Sequence, residues 1–258
     1  MRRWAAALAL TLTLVGIVSC QPTKPPPPGN GGNGFDACAA PSIGTMSAWL
    51  QSPYRFVGVY IGGPNRACSQ PNLTANWVSQ VHGMGWRLIP TYVGFQAPCA
   101  NDANVGPTID PNNAFNQGSF FAVDAVNRAG ALGLPNGTPI YYDMEAYNPS
   151  ACGQVVRSFI SGWIAGLHSN GYVAGMYGSS GAGVNDIAAA QSDPTCNCPL
   201  DAIWFAHWNG NPTLSDSQFF SDGLWSNARI HQFQGGHDES WGGVTINIDS
   251  DAVGGPTG

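Results

Sequence analysis

Asp143 and Glu145 stand two residues apart at the end of the run Thr138-Pro139-Ile140-Tyr141-Tyr142-Asp143-Met144-Glu145. The aromatic and β-branched residues of that run predict a strand, whose side chains alternate between faces while the chain rises about 3.3 Å per residue. The two carboxylates then share one face, with Cα atoms about 6.6 Å apart. When acids crowd together, ionising one disfavours ionising the next, so a proton donor and an anion stand side by side. That combination suits hydrolysis of a glycosidic bond: the acid protonates the leaving oxygen, and the anion stabilises the positive charge growing on the sugar ring. Glu145 is the expected general acid. Asp143 and Asp36 are expected to stabilise the ring cation or to orient an assisting substrate group. Acids at strand ends also cap helices or bind metals, and the Asp-x-Glu pattern alone does not separate these uses.

The elements that would position such a pair recur along the chain. Strand-like runs are Phe35-Asp36, Phe56 to Ile61, Trp86 to Val93, Thr138 to Glu145, Tyr172 to Tyr177, Ala202 to Trp208, Arg229 to Phe233 and Val244 to Ile248. Helical stretches fall between several of them: Thr74 to His82, Ser119 to Ala131 with Ser119 as cap, and a weak one around Asn185 to Ala190. The clearest carries Val155, Val156, Phe159, Ile160, Trp163, Ile164 and Leu167 at spacings of three and four, with Gly171 at its exit. Gly94 to Gly118 reads as a long loop. Strands alternating with helices predict a parallel sheet, and eight such units predict α/β architecture closed into a (β/α)8 TIM-like barrel. A doubly wound open sheet is the competing arrangement. No glycine-rich dinucleotide fingerprint follows the first strand, and no cofactor is expected.

In a barrel, the C-terminal strand ends converge on one site. Asp36, Tyr92, Asp143, Glu145, Tyr177, Trp208, Gln232 and Asp249 all fall at or near such ends. Asp249, Tyr92, Tyr177, Trp208 and Gln232 are therefore the candidate substrate-binding residues. His207 reads mainly as a structural hydrogen-bonding residue, and Trp204 reads as core more readily than as a sugar platform. Asp249 and Asp251 share a face and could offer oxygen ligands to Mg²⁺ or Ca²⁺, but the twelve-residue calcium-loop pattern is missing and no metal site is assigned. Neither a Gly-x-Ser-x-Gly elbow nor a His-Glu-x-x-His motif occurs, which disfavours serine and zinc hydrolases.

The chain opens with Arg2-Arg3 and an apolar run from Trp4 to Val18 that ends in Ser19-Cys20, the composition of an export signal over residues 1–20. Ile17-Val18-Ser19-Cys20 resembles a lipoprotein box with Cys20 as the lipidated residue; ordinary cleavage nearby is the alternative. Residues 21–33, rich in Pro and Gly, read as a tether, and residues 34–258 as one barrel domain. The other cysteines, Cys38, Cys68, Cys99, Cys152, Cys196 and Cys198, are expected to form disulfides in an exported chain. Nine basic residues, two of them in the leader, stand against fifteen acidic ones, and charged residues are only 9% of the chain. This balance opposes nucleic-acid binding and leaves no polybasic membrane patch, so the only membrane contact expected is the lipid anchor.

Gly34-Phe35-Asp36, the Tyr-Tyr-Asp-x-Glu run ending at Glu145, Ile203-Trp204-Phe205-Ala206 with Trp208, His231-Gln232-Phe233 and Asn247-Ile248-Asp249 resemble successive strand motifs of the family 25 glycoside hydrolases, muramidases with a (β/α) barrel. The stretch Gly34 to Ser42 and Tyr60-Ile61-Gly62-Gly63 are more similar still to a glycoside-hydrolase-like domain family of exported actinobacterial proteins. The resemblance implies an acid role for Glu145, supporting roles for Asp36, Asp143 and Asp249, and cell-wall glycan as the partner. It secures the fold better than the reaction. Three functional expectations follow: first an envelope glycosidase acting on peptidoglycan or a related amino-sugar glycan, then a catalytically inactive glycan-binding or envelope-organising domain using the same groove, and last metal-dependent carbohydrate processing through the same acids.

Overall fold

The computed structural model describes residues 31–102, 105–191 and 199–258. The export signal, Cys20, tether residues 21–30, Cys196 and Cys198 lie outside the described residues. In chain order the elements are β1 (Gly32–Asp36), α1 (Ile43–Ala48), β2 (Tyr54–Gly62), α2 (Ala75–Gly83), β3 (Arg87–Tyr92), α3 (Ala114–Ala131), β4 (Pro139–Met144), α4 (Pro149–Ser169), β5 (Val173–Ser179), α5 (Asn185–Gln191), β6 (Ala202–Ala206), β7 (Arg229–Trp241) and β8 (Val244–Val253). β1 starts at Gly32, two residues ahead of the expected domain start. The strands close into a barrel in sequence order, as the alternating pattern predicts.

The barrel is regular through β7 and departs at the end. β1 to β7 run parallel, whereas β8 is antiparallel to both β7 and β1. Gly242 and Gly243, at φ of 60° and 79°, join β7 to β8. A two-residue turn with both residues at positive φ returns the chain as a hairpin, leaving no room for a helical crossover. A side chain at Gly242 would also collide with the Ala48 carbonyl, 2.5 Å from the Cβ position. Beyond Gln232, β7 pairs only with β8, so the hairpin continues past the barrel wall at the C-terminal ends of the parallel strands. Turns rather than a helix connect β6 to β7.

Local capping explains several helix starts. Thr74 accepts from the Trp77 N–H ahead of α2, and Asn148 accepts from the Ser150 N–H ahead of α4, which has Pro149 in its first turn. The expected cap Ser119 is instead inside α3, which starts at Ala114 after Asn113. Gly118 in α3 and Gly162 in α4 are packing residues. A Cβ on Gly118 would lie 2.0 Å from the Phe159 carbonyl oxygen, and one on Gly162 would lie 1.9 Å from that of Phe115. α3 and α4 therefore cross backbone to backbone. The other side of α4 buries Val156, Phe159, Ile160, Trp163, Ile164 and Leu167 against the sheet.

Among the described residues, two disulfides brace loops at the C-terminal rim, as expected for an oxidising compartment. Cys38–Cys68 joins the loop after β1 to the loop after β2, and Cys99–Cys152 joins the loop after β3 to the start of α4.

Candidate active site

β4 shows how the expected pair is delivered. Tyr141 points into the barrel, meeting Trp204 edge-on, while Tyr142 points outward against Phe159 and Trp163. Asp143 shares the parity of Tyr141 and so faces inward. The strand stops at Met144, one residue before Glu145. Gln96, buried in the loop after β3, stitches this end: its Nε2 donates to the Asp143 carbonyl (2.8 Å) and its Oε1 accepts from the Glu145 N–H (2.8 Å). Nothing in its sequence context marked this glutamine.

Asp36, Asp143, Glu145 and Asp249 line one cavity of about 310 Å³, with Tyr60, Arg66 and the Cys38–Cys68 bridge in its walls. β1 and β8 place Asp36 directly opposite Asp249. Gln232 links them from β7: its Nε2 donates to Asp36 Oδ2 (2.9 Å) and Asp249 Oδ2 (3.2 Å). Its Oε1 accepts from the Tyr177 hydroxyl (2.9 Å) and from Trp208 Nε1 (2.9 Å). The donors on one side and acceptors on the other fix the amide's orientation. Tyr60 donates to Asp36 Oδ1 at 2.9 Å. Trp208 is 65% exposed, and its ring lies against Gly235, where a Cβ would approach it to 2.7 Å.

Burial dominates the electrostatics. Asp36 is pushed up to about 7, first by desolvation and then by Asp249, against the hydrogen bonds from Gln232 and Tyr60. Asp143 stands well above the usual carboxylate range because it is buried and faces Glu145 and Asp36, and its Oδ1 has no hydrogen-bond partner among the described residues. Glu145 projects at the solvent-exposed mouth, yet the surrounding walls thin its hydration and Asp102 adds repulsion, so its affinity for a proton rises. Asp249 is raised by burial, with His237 opposing. The cluster therefore retains protons at mildly acidic pH while one wall opens to solvent, which is the condition for a carboxyl acting as a general acid.

One expected contact is corrected. Tyr92 is fully buried on the outer face of β3, donates to Asp124 Oδ2 (2.7 Å) and packs among Phe121, Tyr142 and Trp163. Its parity in the strand turns it toward the helices, away from the cavity. Asp251 is also unsuited to a metal at the rim, being fully buried with Trp204 Nε1 donating to its Oδ1 at 2.9 Å. His207 faces Asp216 across 3.2 Å, the structural place its alternation predicted. Tyr60, Arg66 and Gln96 escaped sequence reasoning because each belongs to a wall or a loop rather than to an acidic strand end.

A closed eight-stranded barrel carrying clustered carboxylates at the C-terminal rim defines a glycoside-hydrolase-like protein. The chain belongs to the Rv2525c-like, glycoside hydrolase-like domain family, whose match spans residues 47–253. Asp143, Glu145 and Asp249 fall inside the match, and Asp36 lies ahead of it. Among solved structures, the fold is similar to the Mycobacterium tuberculosis Tat-secreted protein Rv2525c in complex with L-tartrate, with TM-score 0.57, 17% identity and coverage of 85% of this chain and 94% of that one. An uncharacterized B. stearothermophilus protein gives TM-score 0.54 at 18% identity, with the same coverage. The modular autolysin LytC from Streptococcus pneumoniae, in complex with a synthetic peptidoglycan ligand, gives 0.55 at 11% identity, covering 86% of this chain and 46% of that one. Comparison with the curated proteins finds no match.

Proposed function

We propose that this protein is an exported glycoside hydrolase of the cell envelope, acting on peptidoglycan or a related amino-sugar glycan. Glu145 is the general acid, and Asp36 and Asp143 stabilise the transition state. Asp249, Tyr177, Trp208 and Gln232 hold the sugar or the acids that touch it. The convergence of Asp36, Asp143, Glu145 and Asp249 on one open cavity carries this reading. The Tat-secreted relative and the peptidoglycan-bound autolysin support the compartment and the substrate class. Anchorage through lipid on Cys20, with the tether ending ahead of Gly32, completes the proposal.

A second reading, glycan binding without hydrolysis, draws on Trp208. An exposed indole with one face on Gly235 and its N–H fixed offers its other face to a sugar ring whether or not a bond is cut. Reducing-sugar release from purified cell wall, run with a glycan pull-down on the wild type and Glu145→Gln, separates the two. Release by the wild type alone, with binding by both, supports acid catalysis. Binding by both with release by neither supports the silent domain.

A further inference from the structure

Beneath the cavity, β1 and β8 bring a further acid inward. Their register pairs Gly34 with Asp251 and Asp36 with Asp249, so Asp36, Asp249 and Asp251 all occupy the inner face. Gly34 packs closely here: a Cβ there would lie 2.8 Å from Val253 Cγ2, 3.1 Å from the Phe56 Cβ and 3.4 Å from the Asp251 Cβ. Asp251 has no exposed surface, and while its Oδ1 accepts from Trp204, its Oδ2 has no hydrogen-bond partner among the described residues. Asp36 shares this inner face two residues along β1 from Gly34, the register partner of Asp251, and hydrogen bonding between the two carboxyls is among the causes that shift both.

Two adjoining carboxylates removed from water cannot both be charged at modest cost. A single proton between them resolves the conflict. On Asp251 it turns the unpartnered oxygen into a donor and gives Asp36 a third hydrogen bond beside those from Tyr60 and Gln232. Asp36, with a donor already on each oxygen, is the better anion. Asp251, with one donor, is the better acid.

We infer that Asp251 is a positioning residue that keeps its proton through neutral pH and donates its hydrogen bond to Asp36, holding that carboxylate oriented at the cavity floor. The groups around Asp251 agree with this. Asp36 on β1 and Asp249 on its own strand are the charged groups acting on it, and both disfavour its ionisation. Tyr54 on β2 is neutral at neutral pH, Trp204 on β6 donates, and Gln232 on β7 is its register partner. Burial pushes Asp251 in the same direction. The consequence for glycan cleavage rests on the hydrolase reading; the proton-sharing pair does not.

The test is titration of the aspartate carboxyl carbons by NMR in isotopically labelled full-length protein, with Asp36, Asp143 and Asp251 assigned by single Asn substitutions. The resonance lost in Asp251→Asn is expected to remain that of a protonated carboxyl through neutral pH. In Asp251→Leu the Asp36 midpoint is expected to rise by about one pH unit, and in Asp251→Asn, whose amide still donates, to stay near the wild-type value. An Asp251 that ionises below neutrality, or an Asp36 midpoint indifferent to both substitutions, overturns the inference. If Asp251→Leu does not fold, the wild-type and Asn titrations decide. A protein that cuts no glycan yet shows this titration would sink the hydrolase reading and leave the pair intact.

Discussion

The Cβ of Asp36 occupies the space that a side chain on Gly58 would need: a Cβ at Gly58 would lie 2.5 Å from it, and 3.2 Å from the Trp204 ring. The two residues are register partners on β1 and β2. The smallest residue of one strand thus makes room for an acid on the next. Gly58→Ala must push Asp36 away from Gln232 and Tyr60. We expect a loss of about 1–3 kcal/mol in urea unfolding, together with weaker glycan retention in a pull-down. Unchanged stability and retention would mean that Asp36 is not held by this packing.

Stability should fall as pH rises. Asp36 ionises near 3.8 when unfolded and near 7 when folded. Between these values the folded chain keeps a proton that the unfolded chain has released, so its contribution is complete below the lower value and is lost as pH climbs through the upper one. Each such proton gives a slope of about 1.4 kcal/mol per pH unit. Urea melts across this window should show the decline, and Asp36→Asn should reduce its slope by about one proton's worth. A wild type that gains stability over the same interval would contradict the buried, proton-holding cluster.

The polarity of Gln232 is as constrained as its position. Gln232→Glu replaces the amide donor facing Asp36 and Asp249 with a third acid. Unfolding free energy should drop by about 3 kcal/mol, as when a buried charge loses its partner, and the drop should be larger at alkaline than at acidic pH. Thermal melts at two pH values measure this. An equal loss at both would mean that the site relaxes around the new carboxyl without ionising it.

Trp208→Ala separates binding from folding. The indole is mostly exposed and contributes one hydrogen bond to the interior, so stability should change by about 1 kcal/mol. Affinity for cell-wall glycan should fall about tenfold, equivalent to 1.4 kcal/mol. Calorimetric titration with soluble glycan fragments reads the two effects apart from any catalysis, and an unaltered affinity would remove Trp208 from the sugar contacts.

Much of this arrangement was legible in the sequence because strands obey a period of two. The parity of Tyr141, Tyr142 and Asp143 separated the two faces of β4, the structure shows which one turns inward, and the apolar stripe of α4 gave the face it buries. Tyr92 was misplaced because its position near a strand end suggested the rim, while its parity turned it outward to Asp124. The start of α3 was missed because the Asn- and Pro-rich residues before it read as loop, and the close crossing with α4 explains Gly118. The β7–β8 hairpin depended on Gly242-Gly243, a turn signal that short strand assignments on either side passed over. Asp251 was visible as an acid, but its lack of solvent and its neighbours came only from three-dimensional closure of β8 onto β1.

The same closure puts the start of β1 and the carboxylates at opposite ends of the barrel. β1 runs from Gly32 toward Asp36, so the chain enters the barrel at the end opposite the carboxylates and reaches them only after crossing its full height. A protein anchored as proposed, through chain preceding Gly32, would present its mouth outward, toward material beyond the mooring surface.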